Sequence, residues 1–596
     1  IVVPLRVGGE RGSAWLRLGA MDLVAGRLRS GGLAVPPSEN TVALLHAGGS
    51  GDAAAAAAAL REATPGALLV RGDLRRTGGQ WTAALQAATA DGASVQVDAT
   101  QDTALEAARA AGDRLLARLG RARPPAPPPA AVQDRLQRAQ AAMLANDLDD
   151  ARAILIGDPQ LAREEPQLGY RLAQVDFRSG DYARGEAALS ALLAEPAAND
   201  PLFRARLLNA RGGMRIRQDN YTGAAADYDA AVSLLQAGGH APELGLALTG
   251  RGVVHAMHHE FAPALADLGA ARVQLQAAGD ALAVARVDSN LGGLEMSRDR
   301  PEQALAYLDG AAARFERYGA INELMETLTS LVSDNLALLR PADALAASDR
   351  SWTLAPRVTD PNQRLELALD RVDVFLALGR LREAGTLLGS LPDAAPQSDP
   401  FIARRLPALR ARLAYAEGRL AEAATYARAA LDLRAPTDDT GEGVAEIALL
   451  RQRAMLAGSR RPASAEVLAP PAAEAPAWPV QAVLAAEWAD AHGDPAAAAA
   501  HYRVALDLAE RRGVPADVAL VAASYGPWLL QRGRLQEASA VIGRVSPWAN
   551  RDFDCALLQV RLFQALHDTQ AWRQALVQAT SLAGERRVAA ELRPHG

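Results

Sequence analysis

Apolar residues along this chain follow two rhythms. Up to about residue 122, short apolar runs of strand length alternate with amphipathic stretches, and beyond residue 130 the helical spacing i, i+3, i+4, i+7 dominates. In the first region Ile1 to Val7 reads as a strand, and Ala14 to Leu28 as a helix with Leu16, Met21, Leu23, Val24 and Leu28 on its apolar face. A short strand is expected at Leu33 to Val35, then a helix from Ala53 to Ala63 capped by Asp52. Ala67 to Val70 begins a strand that leads through Thr77-Gly78-Gly79, a hairpin signal, into Trp81 to Thr89. Asp91-Gly92 turns the chain into Val95 to Val97, and Gln101 to Leu119 closes the region as a helix. The predicted order is βαβα, a three-stranded meander, then α.

The rhythm changes across Arg123-Pro124-Pro125-Ala126-Pro127-Pro128-Pro129, a run that disfavours hydrogen-bonded structure and reads as a semi-rigid linker. After it a phrase recurs: a turn pair, then two residues, then a small residue inside a second helix. Its instances are Asp147-Leu148 with Ala151, Asp181-Tyr182 with Gly185, Asn220-Tyr221 with Ala224, and Glu260-Phe261 with Ala264. It continues through Ala304, Ala344, Ala384 and Ala423, and after a gap through Ala498, Ala538 and Ala575, the last following Ala571-Trp572. Successive small residues lie 34, 39, 40, 40, 40, 40, 39, 75, 40 and 37 positions apart. The 75-residue gap holds one degenerate unit, with Gly458 and Ala465 as poor landmarks, and the Ala/Pro-rich stretch ending at Pro479. The domain reading is therefore 1–122 α/β, 123–130 linker, 131–457 repeats, 458–479 degenerate repeat and interruption, and 480–596 C-terminal repeats.

A helix pair cannot bury its shared face alone, so such units stack, with small residues where helix axes approach and turn aromatics such as Tyr182, Tyr221 and Phe261 packing between units. Gly212, Gly252 and Gly292 recur at one position of the first helix in three consecutive units, and Asn290-Leu291-Gly292 is the phrase closest to the tetratricopeptide family, which this array resembles. The family's period is about 34, so units of 40 imply longer helices or wider loops such as Gln236 to His240 and Gln276 to Asp280. The basic and Asn positions of that family's peptide-carboxylate clamp are not assignable here. The expected fold is mainly α: a small α/β domain followed by an α-α superhelix.

Composition narrows the function. Aromatics are 4%, and the net charge of −6 gives no overall basic field for phosphates, so direct nucleic-acid binding by this portion is not expected. No lysine occurs, and arginine supplies all 63 basic side chains, which reads as compositional bias rather than a need for guanidinium chemistry. The lone Cys555 excludes an internal disulfide and reads as a small buried side chain. No run of about 18 apolar residues would span a bilayer.

His255, His258 and His259 share a helical face with Glu260 nearby, but two of these four lie in an inter-helix turn without HExxH order, and they read as solvated turn residues rather than a zinc site. Gly48-Gly49-Ser50-Gly51-Asp52 precedes a helix start and reads as a capped loop rather than a phosphate cradle. No nucleophile elbow, kinase or cyclase signature is found, so no catalytic residue, cofactor or metal is assigned. Trp352, Trp478, Trp488, Trp528, Trp548 and Trp572 are scattered late in the array as packing residues, a subset of which could anchor a ligand.

Two phrases before the linker, Trp15-Leu16-Arg17-Leu18-Gly19-Ala20-Met21-Asp22 and Val70-Arg71-Gly72-Asp73-Leu74 with Gly79-Gln80-Trp81, resemble the TolB-like half-domain that precedes tetratricopeptide arrays in bacterial signalling proteins. The combination resembles the C-terminal region of membrane-anchored winged-helix (CadC/ToxR-like) transcriptional regulators. That resemblance implies a periplasm-facing segment binding proteins or peptides through its groove, with DNA contact and a membrane tether upstream of Ile1. The start on a strand, without an initiator Met or charged leader, is read as part of a longer protein. A cytoplasmic location, a regulatory region of a Ser/Thr kinase or nucleotide cyclase, and a free-standing scaffold are the alternatives.

Overall fold

A computed structural model of the chain describes residues 1–8, 13–47, 67–88, 92–124, 128–236, 238, 240–358, 361–391, 400–433, 441–458 and 476–593. It divides into two compact units, Ile1–Leu294 with Gly310–Ile321, and Glu295–Asp309 with Asn322–Gly596.

The first unit opens with a four-stranded sheet: β1 Arg6–Gly8, β2 Leu69–Thr77, β3 Gln80–Ala88 and β4 Ser94–Gln101, adjacent in that order. β1 pairs parallel to β2, and the other two pairings are antiparallel. Gly78 and Gly79 both hold positive φ, 61° and 89°, the requirement of the tightest hairpin turns. α1 (Leu16–Ser30) and α3 (Ala104–Arg118) bury Met21, Val24, Leu115 and Leu116 with Leu74 and Leu85 of the sheet. Thr103 caps α3 by accepting from the Glu106 backbone and donating to its carboxylate, so the helix begins after the expected Gln101.

The short strand expected after α1 does not form. Residues 33–35 are not a strand, and the next element is α2, Ser38–Ala47, started by Ser38-Glu39 after two prolines. Leu33-Ala34-Val35 is too short to outweigh those prolines, and Val35 is buried as coil. The helix expected over 53–63 lies outside the described residues, as does the glycine-rich loop before it.

The rest is helix on helix, and one turn makes it a repeat. In the first unit Asn146, Gly180, Asp219 and His259 adopt left-handed backbone two residues before a second helix starts; in the second unit Asp299, Leu339, Gly379, Gly418, Gly493, Gly533 and His567 do the same. At each, the following N–H reaches back to a carbonyl five residues earlier, as Asp181 to Asp176, Arg340 to Asn335 and Asp568 to Phe563, at 2.7–3.1 Å. This is the 6→1 bond of a Schellman stop, which satisfies an otherwise orphaned carbonyl and sets the reversal angle. The turn fixes the register independently of sequence. It shows that the last unit is Asp568-Thr569 with Trp572 rather than Ala571-Trp572 with Ala575, because Asp568 caps Thr569–Leu582.

The small residues carry the packing. Ala151, Ala224, Ala264, Ala304, Ala344, Ala384, Ala423, Ala498 and Ala538 are all fully buried. A Cβ on Gly212 would lie 2.7 Å from the Tyr228 ring, and one on Gly252 would lie 2.9 Å from Leu268, so these helices pack at glycine distance; Gly292 is likewise buried. The extra length of the long units is in the helices. Phe261–Ala278 runs 18 residues and hands over to Ala281–Met296 through Gly279-Asp280 alone. Gln276 to Asp280 is therefore not a wide loop.

Within the second unit the array returns on itself. Arg512 meets Asp299 at 3.0 Å, Arg551 donates to the Leu338 carbonyl at 3.0 Å, and the Glu585 N–H donates to the Gly379 carbonyl at 2.8 Å. Each contact joins an intra-unit turn to a chain segment 206–213 residues later. In the first unit α2 lies instead against an inter-unit junction, where Asn40 donates to Asp280 at 2.9 Å.

Candidate binding groove

The repeat-defining residues do not line a site; they hold units together. Tyr182 meets Phe177 edge-on at 5.6 Å, Tyr221 meets His258 of the following unit at 6.5 Å, and Phe261 meets His259 at 6.0 Å. His258 and His259 are thereby engaged with different rings. His255 turns instead to Glu260, its Nδ1 2.5 Å from Oε2, so the three imidazoles do not converge. Cys555 is fully buried, and burial pushes its thiol far above the usual range.

Arginine proves to have a specific use. In the first unit Arg211 forks onto Asp227 at 2.9 and 2.6 Å, and Arg251 onto Asp267 at 2.6 and 2.7 Å, sixteen residues on in each case. Asp176 is held by Arg152 and Arg184, and Asp288 by Arg272 and Arg314. Asp176, Asp227 and Asp288 have side chains no more than 3% exposed, and Asp227 takes the planar two-donor fork of Arg211 on both oxygens, a geometry that lysine would not reproduce.

A surface suited to a ligand is in the second unit, on the inward faces of first helices. One cleft of about 640 Å³ is walled by Pro400–Ala416 and Glu442–Gly458 and closed by Val480 and Leu520. A second, of about 660 Å³, is walled by Glu442–Gly458, Pro515–Gln531 and Phe553–Ala565. Arg453 lines both, so the two clefts adjoin. Helical spacing puts the lining together: Glu446, Leu449, Leu450, Arg453, Leu456 and Ala457 are one stripe, and Asp554, Leu557, Leu558 and Arg561 another.

Most groove charges are spoken for. Arg405 binds Asp370 at 2.7 Å and Asp373 at 2.9 Å, Arg412 also binds Asp373, and Arg453 binds Glu487 at 2.7 Å, with Ser524 donating to Glu487 at 2.6 Å. Tyr502 stacks on Tyr525 with ring centroids 4.8 Å apart, and Trp528 closes that cluster at 5.4 Å. Of the tryptophans only Trp528 lines the groove; Trp478 underlies Arg512 at 4.1 Å and Trp352 underlies Arg371 at 5.3 Å. Sequence reading misses the groove because its residues differ from unit to unit. The signal available was the i, i+3, i+4, i+7 face opposite each buried small residue.

No protein-family model matches this chain, and no curated protein matches it in sequence. Among solved structures, the apo form of the quorum sensor NprR from B. thuringiensis is similar over 55% of this chain and 93% of its own, at 13% identity and a TM-score of 0.41. The APC/C hetero-tetramer Cut9–Hcn1 covers 82% of this chain and 92% of its own, at 13% identity and a TM-score of 0.32. A tetratricopeptide repeat protein from Parabacteroides merdae covers 54% and 98%, at 14% identity and a TM-score of 0.22. The array is tetratricopeptide-like. That rests on its own turns and buried small residues, since likenesses this distant carry nothing further. Among the described residues no helix is long and apolar enough to cross a membrane.

Proposed function

We propose that this chain is the protein- or peptide-binding sensory region of a bacterial signal-transduction protein and catalyses no reaction. The groove carries this reading: two adjoining clefts that share Arg453, with charged groups paired in place and an aromatic cluster beside them, form a pre-organised surface of the kind that extended ligands use. The α/β domain is read as TolB-like, and the whole as the periplasm-facing part of a membrane-anchored winged-helix regulator, which the order of small α/β domain, proline linker and array supports.

The test is site-specific photo-crosslinking in the native, full-length protein. A crosslinker at Leu557, which faces the groove, is expected to yield a discrete protein or peptide adduct absent from a crosslinker at Val577, 72% exposed on another helix. Equal labelling at both positions, or none at Leu557, would refute groove binding. Hydrolase or transferase turnover by the purified chain would overturn the non-catalytic reading.

A further inference from the structure

A strained residue marks the place where the second unit returns on itself. Leu339 holds φ at 56°. Every other left-handed position among the described residues is glycine, asparagine, aspartate or histidine, the types that accept that backbone, whereas a bulky apolar residue there is strained. Such strain persists only where the surroundings over-determine it. At Leu339 the surroundings are the far end of the unit: its side chain packs against the apolar cluster that runs from Ala445 to Leu562, and Arg551 donates to the carbonyl of the preceding Leu338 at 3.0 Å. Glycine or asparagine would make this turn without strain, but neither would bring an apolar side chain to that cluster.

The returning contacts fall where they bear on a cleft. The second cleft is walled by Glu442–Gly458, Pro515–Gln531 and Phe553–Ala565, and each wall is gripped at its N-terminal end. Arg551 directly precedes Asp552, which caps Phe553–Ala565 by accepting from the Cys555 N–H at 2.9 Å. One unit earlier, Arg512 meets Asp299 at 3.0 Å, Asp517 in the first turn of Pro515–Gln531 at 2.7 Å, and Glu442, the first residue of its helix, at 3.7 Å. We propose that Leu339 is a latch that sets the shape of the second cleft: docked, it holds the ends of the three walls in register, and released, it relaxes its own backbone and lets the walls separate. Backbone strain favours release and the apolar contact favours docking, an opposition that makes the turn a two-state element. Any ligand that fits the cleft in one state only is linked to the latch, whether or not that ligand is a peptide.

The experiment uses the whole chain and needs no ligand. Leu339→Asn keeps the left-handed turn and removes the apolar contact. Hydrogen exchange in the three wall helices is expected to quicken about tenfold or more, while Ile321–Ala337, which leads into the relieved turn, exchanges no faster than in the native chain, with Pro201–Ile216 as reference. Leu339→Met keeps both the strain and the apolar contact and is expected to exchange as the native chain does. Spin labels on Arg300→Cys and Arg511→Cys, which flank the Asp299–Arg512 contact, are expected to report one short distance in the native background and an added longer one with Leu339→Asn; Cys555 is fully buried and takes no label. Native exchange in the walls, or an unchanged label distance, overturns the latch. Faster exchange in Ile321–Ala337 as well, or opening by Leu339→Met, would mark Leu339 as an ordinary packing residue and also overturns it.

Discussion

Asp334 offers the sharpest test of how this array tolerates polar residues. It sits five residues before the left-handed turn at Leu339, where other units place Met214, Val254, Leu294 and Val374 in the core. Its side chain is fully buried and neither carboxylate oxygen has a hydrogen-bond partner. Desolvation raises its pKa from 3.8 to about 7. The unfolded chain therefore releases the proton from about pH 4 upward while the folded helix retains it to about pH 7, so stability falls across that window and levels off above it. At 1.36 kcal/mol per unit, the penalty is about 1.6 kcal/mol at pH 5 and about 4 kcal/mol at pH 8.

Asp334→Asn removes the ionisation without changing shape, so its stabilisation should be larger at pH 8 than at pH 5 by roughly 2.5 kcal/mol. Because repeat arrays unfold in segments, the measurement is native-state hydrogen exchange of amides in Ile321–Ala337, compared with Phe553–Ala565 as an internal reference. A gain that is the same at both pH values, or greatest at pH 5, would show that Asp334 is charged and partnered in the folded protein, and the reasoning would fail.

Other substitutions probe packing, closure and charge. Gly250→Ala would place a Cβ 2.1 Å from the Tyr228 ring and should cost about 1–3 kcal/mol in urea unfolding, with Tyr228→Leu recovering much of it. Gly379→Ala meets both a φ of 72° and the Ala583 carbonyl at 2.3 Å, so exchange protection of the C-terminal segment near Glu585 should fall while that of Pro201–Ile216 does not change. Arg512 serves Asp299, Glu442 and Asp517 together, and desolvation raises all three carboxyls, Glu442 to about 7. Arg512→Met should therefore destabilise by on the order of 3 kcal/mol at pH 8 and by less at pH 5, where these groups take up protons, as read by pH-dependent thermal melts.

Those predictions follow the line between what the sequence made legible and what it did not. The second-helix alanines were legible because one steric demand, close approach of two axes, is repeated at each unit and admits few residue types. The last unit was misread because Trp572 occupies the place of a small residue, and only the Asp568 cap reveals the register. α2 was missed because its first residue, Ser38, follows a Pro-Pro pair that reads as loop. The clefts were hidden for a different reason: their lining residues recur at no fixed interval, and helices far apart in sequence contribute them. Asp334 was equally hidden, since an isolated acidic residue on an amphipathic helix reads as a solvated one.

The returning contacts at Asp299, Leu338 and Gly379 also bear on how such a chain can evolve. An open solenoid can gain or lose a unit by duplication or deletion and remain the same object with a different length. Here an inserted or deleted unit of about 40 residues between Gly379 and Arg512 would slide all three meeting points out of step at once, because each pairs a turn with a segment 206–213 residues on. The number of units across that span is therefore fixed by the contacts, and such a chain is left to vary by substitution within units rather than by their number.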